Sequence, residues 1–115
     1  MYTNEMTSGF MLCDDGTCPV SRAVEILDGK WTILVVRDLL AGTRRFSELR
    51  RSLGAISPKT LTDRLRSLEA QGLITRTVFA EVPPRVEYAL TDAGRTLAPV
   101  LTALADWGRA ALQPL

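Results

Sequence analysis

A chain of 115 residues with 46% apolar and 23% charged content has the size of one domain with a modest core. Its two cysteines argue against a disulfide framework, and the absence of histidine removes His-based zinc sites and every Ser-His or Cys-His catalytic arrangement. A net charge of +1 does not announce nucleic acid, but nine cations against four carboxylates between Arg44 and Arg85 give that segment +5 and leave −4 over the remainder.

Residues 1–17 are poorly periodic and read as an N-terminal arm. They lack the basic start and apolar centre of a signal peptide, and no apolar run reaches membrane-spanning length, so the expectation is a cytoplasmic protein. Periodicity begins at Cys18-Pro19. Pro19 suits a first helical position, Val20, Ala23, Val24 and Leu27 recur at helical spacing, and Asp28-Gly29 reads as the stop. A second helix is expected from about Lys30 to Ala41, burying Trp31, Leu34, Val35 and Leu39. Gly42 to Arg45 reads as a turn with two cations. A short helix, FSELRRSL, follows, with Ser47 as its expected cap.

SPKTLTDRLRSLEAQGL, residues 57–73, has the clearest helical pattern. Ser57 can cap it, Pro58 suits its first turn, Leu61, Leu65 and Leu68 form one apolar stripe, and Gly72 ends it. Lys59, Asp63 and Arg66 point away from the stripe, with Thr60, Thr62, Arg64 and Ser67 on its flanks. Cations, hydroxyls and a carboxylate on one face suit base edges and phosphates in a major groove. A solvated amphipathic helix gives the same pattern. The preceding short helix and the Gly54-Ala55-Ile56 connection tip the reading toward a helix-turn-helix with its recognition helix at about 57–71.

After Gly72 the period changes from 3.6 to 2. Ile74, Arg76 and Val78, then Val86, Tyr88 and Leu90, define a β-hairpin with the tip Glu81-Val82-Pro83-Pro84. Such a hairpin, at about 74–90, is a wing. Thr91-Asp92 caps a last helix running to about Leu112, which Pro99 should kink or split. Leu97, Val100, Leu101, Leu104, Trp107 and Leu112 give it a wide apolar face, which points to a homodimer interface. Folding back onto its own domain is the alternative. The predicted architecture is mainly α with a small β-hairpin wing, a dimeric winged helix-turn-helix over 18–112.

CPVSRAVEILDGKWT, RRFSELRRSLGAISPKTLTDRLRSLEAQGLI and YALTDAGR, in this order, resemble the HxlR-type winged helix-turn-helix regulators of bacteria, relatives of the MarR group. The resemblance covers about residues 18–112 and implies a dimeric transcription factor joined largely through its terminal helices. It also implies sensing of electrophiles or oxidants by several members through a cysteine just before the first family helix, the position of Cys18. A thiol there feels the positive end of a helix dipole. Cys13 can join Cys18 within one chain, or either can cross to a partner subunit; the plainer reading makes Cys18 only a cap-like residue. A thiolate metal site of Cys13 and Cys18 with Asp14 or Asp15 would need further ligands from that subunit, so no metal or cofactor is assigned.

The expected partner is double-stranded DNA with a roughly palindromic operator. Ser57, Lys59, Thr60, Thr62, Asp63 and Arg64 are the candidates near base edges. Arg44, Arg45, Arg50, Arg66, Arg76 and Arg85 are candidates for the phosphate backbone, though each also reads as a solvated charge. Two competing functions stand beside this one. The first is a winged-helix protein–protein assembly module without specific DNA binding. The second is a thiol enzyme built on Cys18, which lacks an acid/base partner in the sequence.

Overall fold

The computed structural model describes residues 18–112. The order of elements is α1 (Pro19–Ile26), α2 (Gly29–Leu40), β1 (Arg44–Arg45), α3 (Phe46–Leu53), α4 (Pro58–Ala70), β2 (Ile74–Phe79), β3 (Arg85–Leu90), α5 (Asp92–Arg95) and α6 (Ala98–Ala111). This is a mostly helical domain with a small antiparallel sheet, as the periodicities predict. The arm at 1–17, Cys13 included, lies outside the described residues.

Three helices and the sheet enclose one core. α2 contributes Val35, Val36 and Leu39, α3 contributes Leu49 and Leu53, and α4 contributes Leu61, Leu65 and Leu68; Ile56, Ile74, Tyr88 and Leu90 complete it. Each aliphatic side chain buried this way stabilises the fold by about 1.5–3 kcal/mol against its exposed state. The stripe on α2 is rotated one position from the expectation. Thr32, Val35, Val36 and Leu39 are buried, whereas Trp31 and Leu34 are half-buried at the edge of the core. The register is fixed by the Thr32 hydroxyl, which donates to the Asp28 carbonyl at 2.7 Å and so enters the core already paired.

The sheet has three strands in the order β1-β3-β2, not the two of a simple hairpin. Arg44 and Arg45 pair with Tyr88 and Glu87 of β3, and Ile74↔Leu90, Arg76↔Tyr88 and Val78↔Val86 set the β2–β3 register. Two residues carry no periodicity, so the sequence alone reads β1 as a turn. Its formation also moves the start of α3. The chain stays extended through Arg45, whose backbone N–H donates to Glu48 Oε1 at 2.7 Å. Glu48, not Ser47, therefore closes this helix start, from three residues inside it.

The terminal helix is split, as Pro99 requires: α5 is a single turn and α6 restarts at Ala98. Thr91 ties this region to the hairpin. Its hydroxyl donates to the Gly72 carbonyl at 2.7 Å and accepts from the Gly94 N–H at 3.0 Å. Gly94 is buried so tightly that a Cβ there would lie 2.1 Å from the Leu73 carbonyl oxygen. Leu97 and Leu101 pack on the core, while Val100, Leu104, Trp107 and Leu112 are exposed. Among the described residues no helix is long and apolar enough to cross a membrane.

Candidate nucleic-acid interface

The helix α4 is held from behind and free in front. Leu61, Leu65 and Leu68 lie in the core, and the chain turns sharply on either side at Gly54 (φ 70°) and Gly72 (φ 75°), a backbone region glycine enters without strain. The Ser57 hydroxyl accepts from the Thr60 N–H at 3.0 Å and donates to Thr60 Oγ1 at 2.9 Å. The helix start is thus capped, and the Ser57 and Thr60 hydroxyls sit together at its mouth.

One turn on, Lys59 Nζ lies 2.9 Å from Asp63 Oδ2. The hydrogen bond from Lys59 holds the Asp63 carboxyl below the usual carboxylate range, and the charges of Lys59, Arg64 and Arg66 add to this. The outer face therefore presents hydroxyls, an ammonium and a fixed carboxylate.

Beside this face runs an open groove of about 500 Å³ between α4 and the sheet, with Thr62, Arg66 and Glu69 on one wall and Arg76, Val86 and Tyr88 on the other. Arg66 and Arg76 are exposed and, among the described residues, have no hydrogen-bond or ion-pair partner. Two uncommitted guanidiniums facing one groove are suited to phosphate oxygens. Arg45 and Arg50 are exposed on the neighbouring α3 side, and Arg44 donates from Nη1 to the Thr43 carbonyl at 3.2 Å.

Two arginines stand differently from the sequence reading. Arg64 turns back across the domain: its Nη1 lies 3.3 Å from the Asp28 carbonyl and 3.4 Å from Asp28 Oδ2. At about 100° per residue, Arg64 falls only about 60° from Leu61, on the inner flank that faces the α1–α2 turn. It is thus a half-buried tie rather than a free base reader. Arg85 stacks over Phe79 at 3.9 Å and pairs with Glu81 at 3.2 Å and Glu87 at 3.4 Å. Two carboxylates offset its charge, and these contacts brace the hairpin. The sequence reading missed Asp28, because no local pattern announces a contact 36 residues away.

Cys18 occupies the N-cap position of α1, and its sulfur accepts from the Ser21 N–H at 3.5 Å. It is disulfide-bonded, although composition argued against structural disulfides. Composition reports on the redox compartment and says nothing of whether two thiols can meet. Among the described residues no cluster of ligands suits a metal ion.

The HxlR-like helix-turn-helix family model matches residues 26–115. The chain is 51% identical over 94 residues to sll1512 of Synechocystis sp. (strain PCC 6803), named an HTH-type transcriptional regulator, covering 78% of this chain and 70% of that protein. Likewise YdeP of Bacillus subtilis, also named an HTH-type transcriptional regulator, is 45% identical over 91 residues, 79% of this chain and 71% of its own. Among solved structures, the redox regulator HypR in its oxidized form superposes with a TM-score of 0.78 at 39% identity, over 85% of this chain and all of that one. The reduced form of the transcriptional regulator YodB from B. subtilis superposes with a TM-score of 0.73 at 32% identity, over 86% of this chain and 98% of that one. By a family match that runs from the end of α1 through α6, and by the winged helix-turn-helix geometry itself, the chain belongs to the HxlR-like helix-turn-helix family.

Proposed function

We propose that this chain is a dimeric, sequence-specific DNA-binding transcriptional regulator, with α4 entering the major groove and the β2–β3 wing lying along the backbone. The observation that carries this reading is the leucine-anchored α4, which turns Ser57, Lys59, Thr60 and Asp63 outward beside Arg66 and Arg76, which line the neighbouring groove. An assembly module would more often present an apolar or acidic face here; this one carries hydroxyls and cations. The names of the relatives support the same reading.

A second copy of the chain is the proposed partner across α1 and α6. Val20, Val24, Val100, Leu104 and Trp107 leave an apolar surface exposed, and an open groove of about 620 Å³ runs between α1, α2 and α6. Trp107 is 73% exposed and Val24 63%, and large side chains so placed mark an association surface. Two copies would set their α4 helices one helical turn of DNA apart, so the operator should be a rough palindrome with half-sites about 10 bp apart. Gel shifts against duplexes with half-site spacings varied base pair by base pair test this. Affinity should peak at one spacing and fall in the variant combining Lys59→Ala with Arg66→Ala. Indifference to spacing would contradict the dimeric reading.

Response to oxidants through Cys18 is the regulatory part of the proposal. Cys18 is disulfide-bonded at the start of α1, and HypR, a structural neighbour, is named a redox regulator. Making or breaking that bond acts on α1, which carries part of the proposed dimer surface, and so on the distance between the two α4 helices.

A further inference from the structure

The tie between Asp28 and Arg64 joins the turn between α1 and α2 to the inner flank of α4. Arg64 donates from Nη1 both to the Asp28 carbonyl and to its carboxylate, at 3.3 and 3.4 Å. Its side chain is 27% exposed, against 77% for that of Asp28. Among the described residues the buried Arg64 Nε has no hydrogen-bond acceptor. Arg64 therefore has donors unspent where it lies. Those are the donors with which arginine takes the O6 and N7 edge of guanine, or any phosphate that passes.

The position of Asp28 is equally informative. It stands at the N-cap of α2, where an aspartate commonly bonds the first turn, yet its side chain makes no capping hydrogen bond. Its carboxylate reaches Arg64 instead, at 3.4 Å, a long ion pair with one partner largely in solvent, which contributes little to stability. Helical spacing puts Arg64 on the inner flank; a weak ion pair, an abandoned cap and a guanidinium with spare donors are best explained together by what the contact prevents.

We propose that Asp28 is a specificity determinant that acts through Arg64, holding this guanidinium off the DNA so that reading is left to Ser57, Lys59, Thr60 and Asp63. A long, free arginine at the edge of α4 would bind phosphate on any sequence and narrow the gap between operator and random duplex. The proposal rests on the DNA-binding reading given above and assigns Asp28 a positioning role, without contact to DNA.

The test measures fluorescence anisotropy of the full chain with a duplex selected by the parent protein from a random DNA pool, taken as the operator, and a scrambled duplex of the same composition, between 50 and 200 mM KCl. The variants are Asp28→Ala, Asp28→Glu, Arg64→Gln and the double variant Asp28→Ala with Arg64→Gln. In Asp28→Ala the freed Arg64 should add about one phosphate contact per subunit, steepening the slope of log affinity against log salt by about 1.8 for the dimer. Scrambled-duplex affinity should rise, so that the operator preference drops about tenfold. Asp28→Glu should restore the parent values, and the double variant should return to the parent slope because no arginine remains to release. An unchanged slope and preference in Asp28→Ala would overturn the proposal. So would the same steepening in the double variant, which would trace it to lost negative charge alone. An equal loss of affinity on both duplexes, with a lowered Tm, would also overturn it and make the tie merely structural. Failure of the parent protein to distinguish the two duplexes would refute the DNA-binding reading itself, a result separate from all of these.

Discussion

Lys59 and Asp63 form an ion pair of 2.9 Å across one turn of α4, in the middle of its outer face. The pair fixes a carboxylate where DNA phosphates would approach. On the proposed reading it should lower affinity for DNA in general while leaving the face able to accept from a base amino group. Asp63→Asn should bind scrambled DNA more tightly and steepen its salt slope by up to about one unit per subunit, because Lys59 is released. Anisotropy titrations at several salt concentrations check this. The lowered Asp63 pKa also fixes the direction of its pH effect. Its stabilising contribution is present above the unfolded value and is lost only as pH falls through the folded value, below 3.8. With no histidine in the chain, Asp63 should give DNA binding no pH dependence between pH 6 and 8.

Gly94 offers a test of packing rather than of charge. Its missing Cβ would lie 2.1 Å from the Leu73 carbonyl oxygen and 2.9 Å from Leu90 Cδ2. Backbone cannot yield there without pulling Thr91 from Gly72, so Gly94→Ala should cost about 1–3 kcal/mol or more. Urea unfolding followed by circular dichroism measures the loss. Gly108→Ala, in an open helical site, should be neutral or slightly stabilising.

The exposed apolar surface of α6 predicts the state of assembly. Leu104→Glu together with Trp107→Glu should halve the mass seen by analytical ultracentrifugation while leaving the helical circular dichroism signal in place. Because each subunit then meets one half-site alone, operator affinity should fall by a factor of 100 or more.

Cys18→Ser should bind the operator equally in diamide and in dithiothreitol, whereas the parent protein should change affinity between them. Mass spectrometry of the parent under both conditions verifies that the thiol chemistry has occurred.

Much of this molecule is legible in its sequence because its signals are local. The Ser57-Pro58 start, the leucine stripe of α4, the change of period after Gly72 and the break at Pro99 depend on neighbours within a few residues, and the structure has each where the pattern puts it. What the pattern misses is tertiary. Arg44 and Arg45 become a strand only because β3 passes beside them. Arg64 and Asp28 meet 36 residues apart. Arg85 is spoken for by Glu87 on its own strand, Glu81 in the hairpin tip and Phe79 across that tip. Helical spacing shows which side of α4 an arginine stands on, but not what waits there to pair with it.

The salt dependence of operator binding in Arg66→Ala and Arg76→Ala shows whether DNA lies in the groove beside α4, which both arginines line with no hydrogen-bond or ion-pair partner among the described residues. Each substitution should lower the slope of log affinity against log salt by about 0.9 per subunit and weaken operator and scrambled duplexes alike. Slopes identical to that of the parent protein would mean that DNA does not lie against this surface.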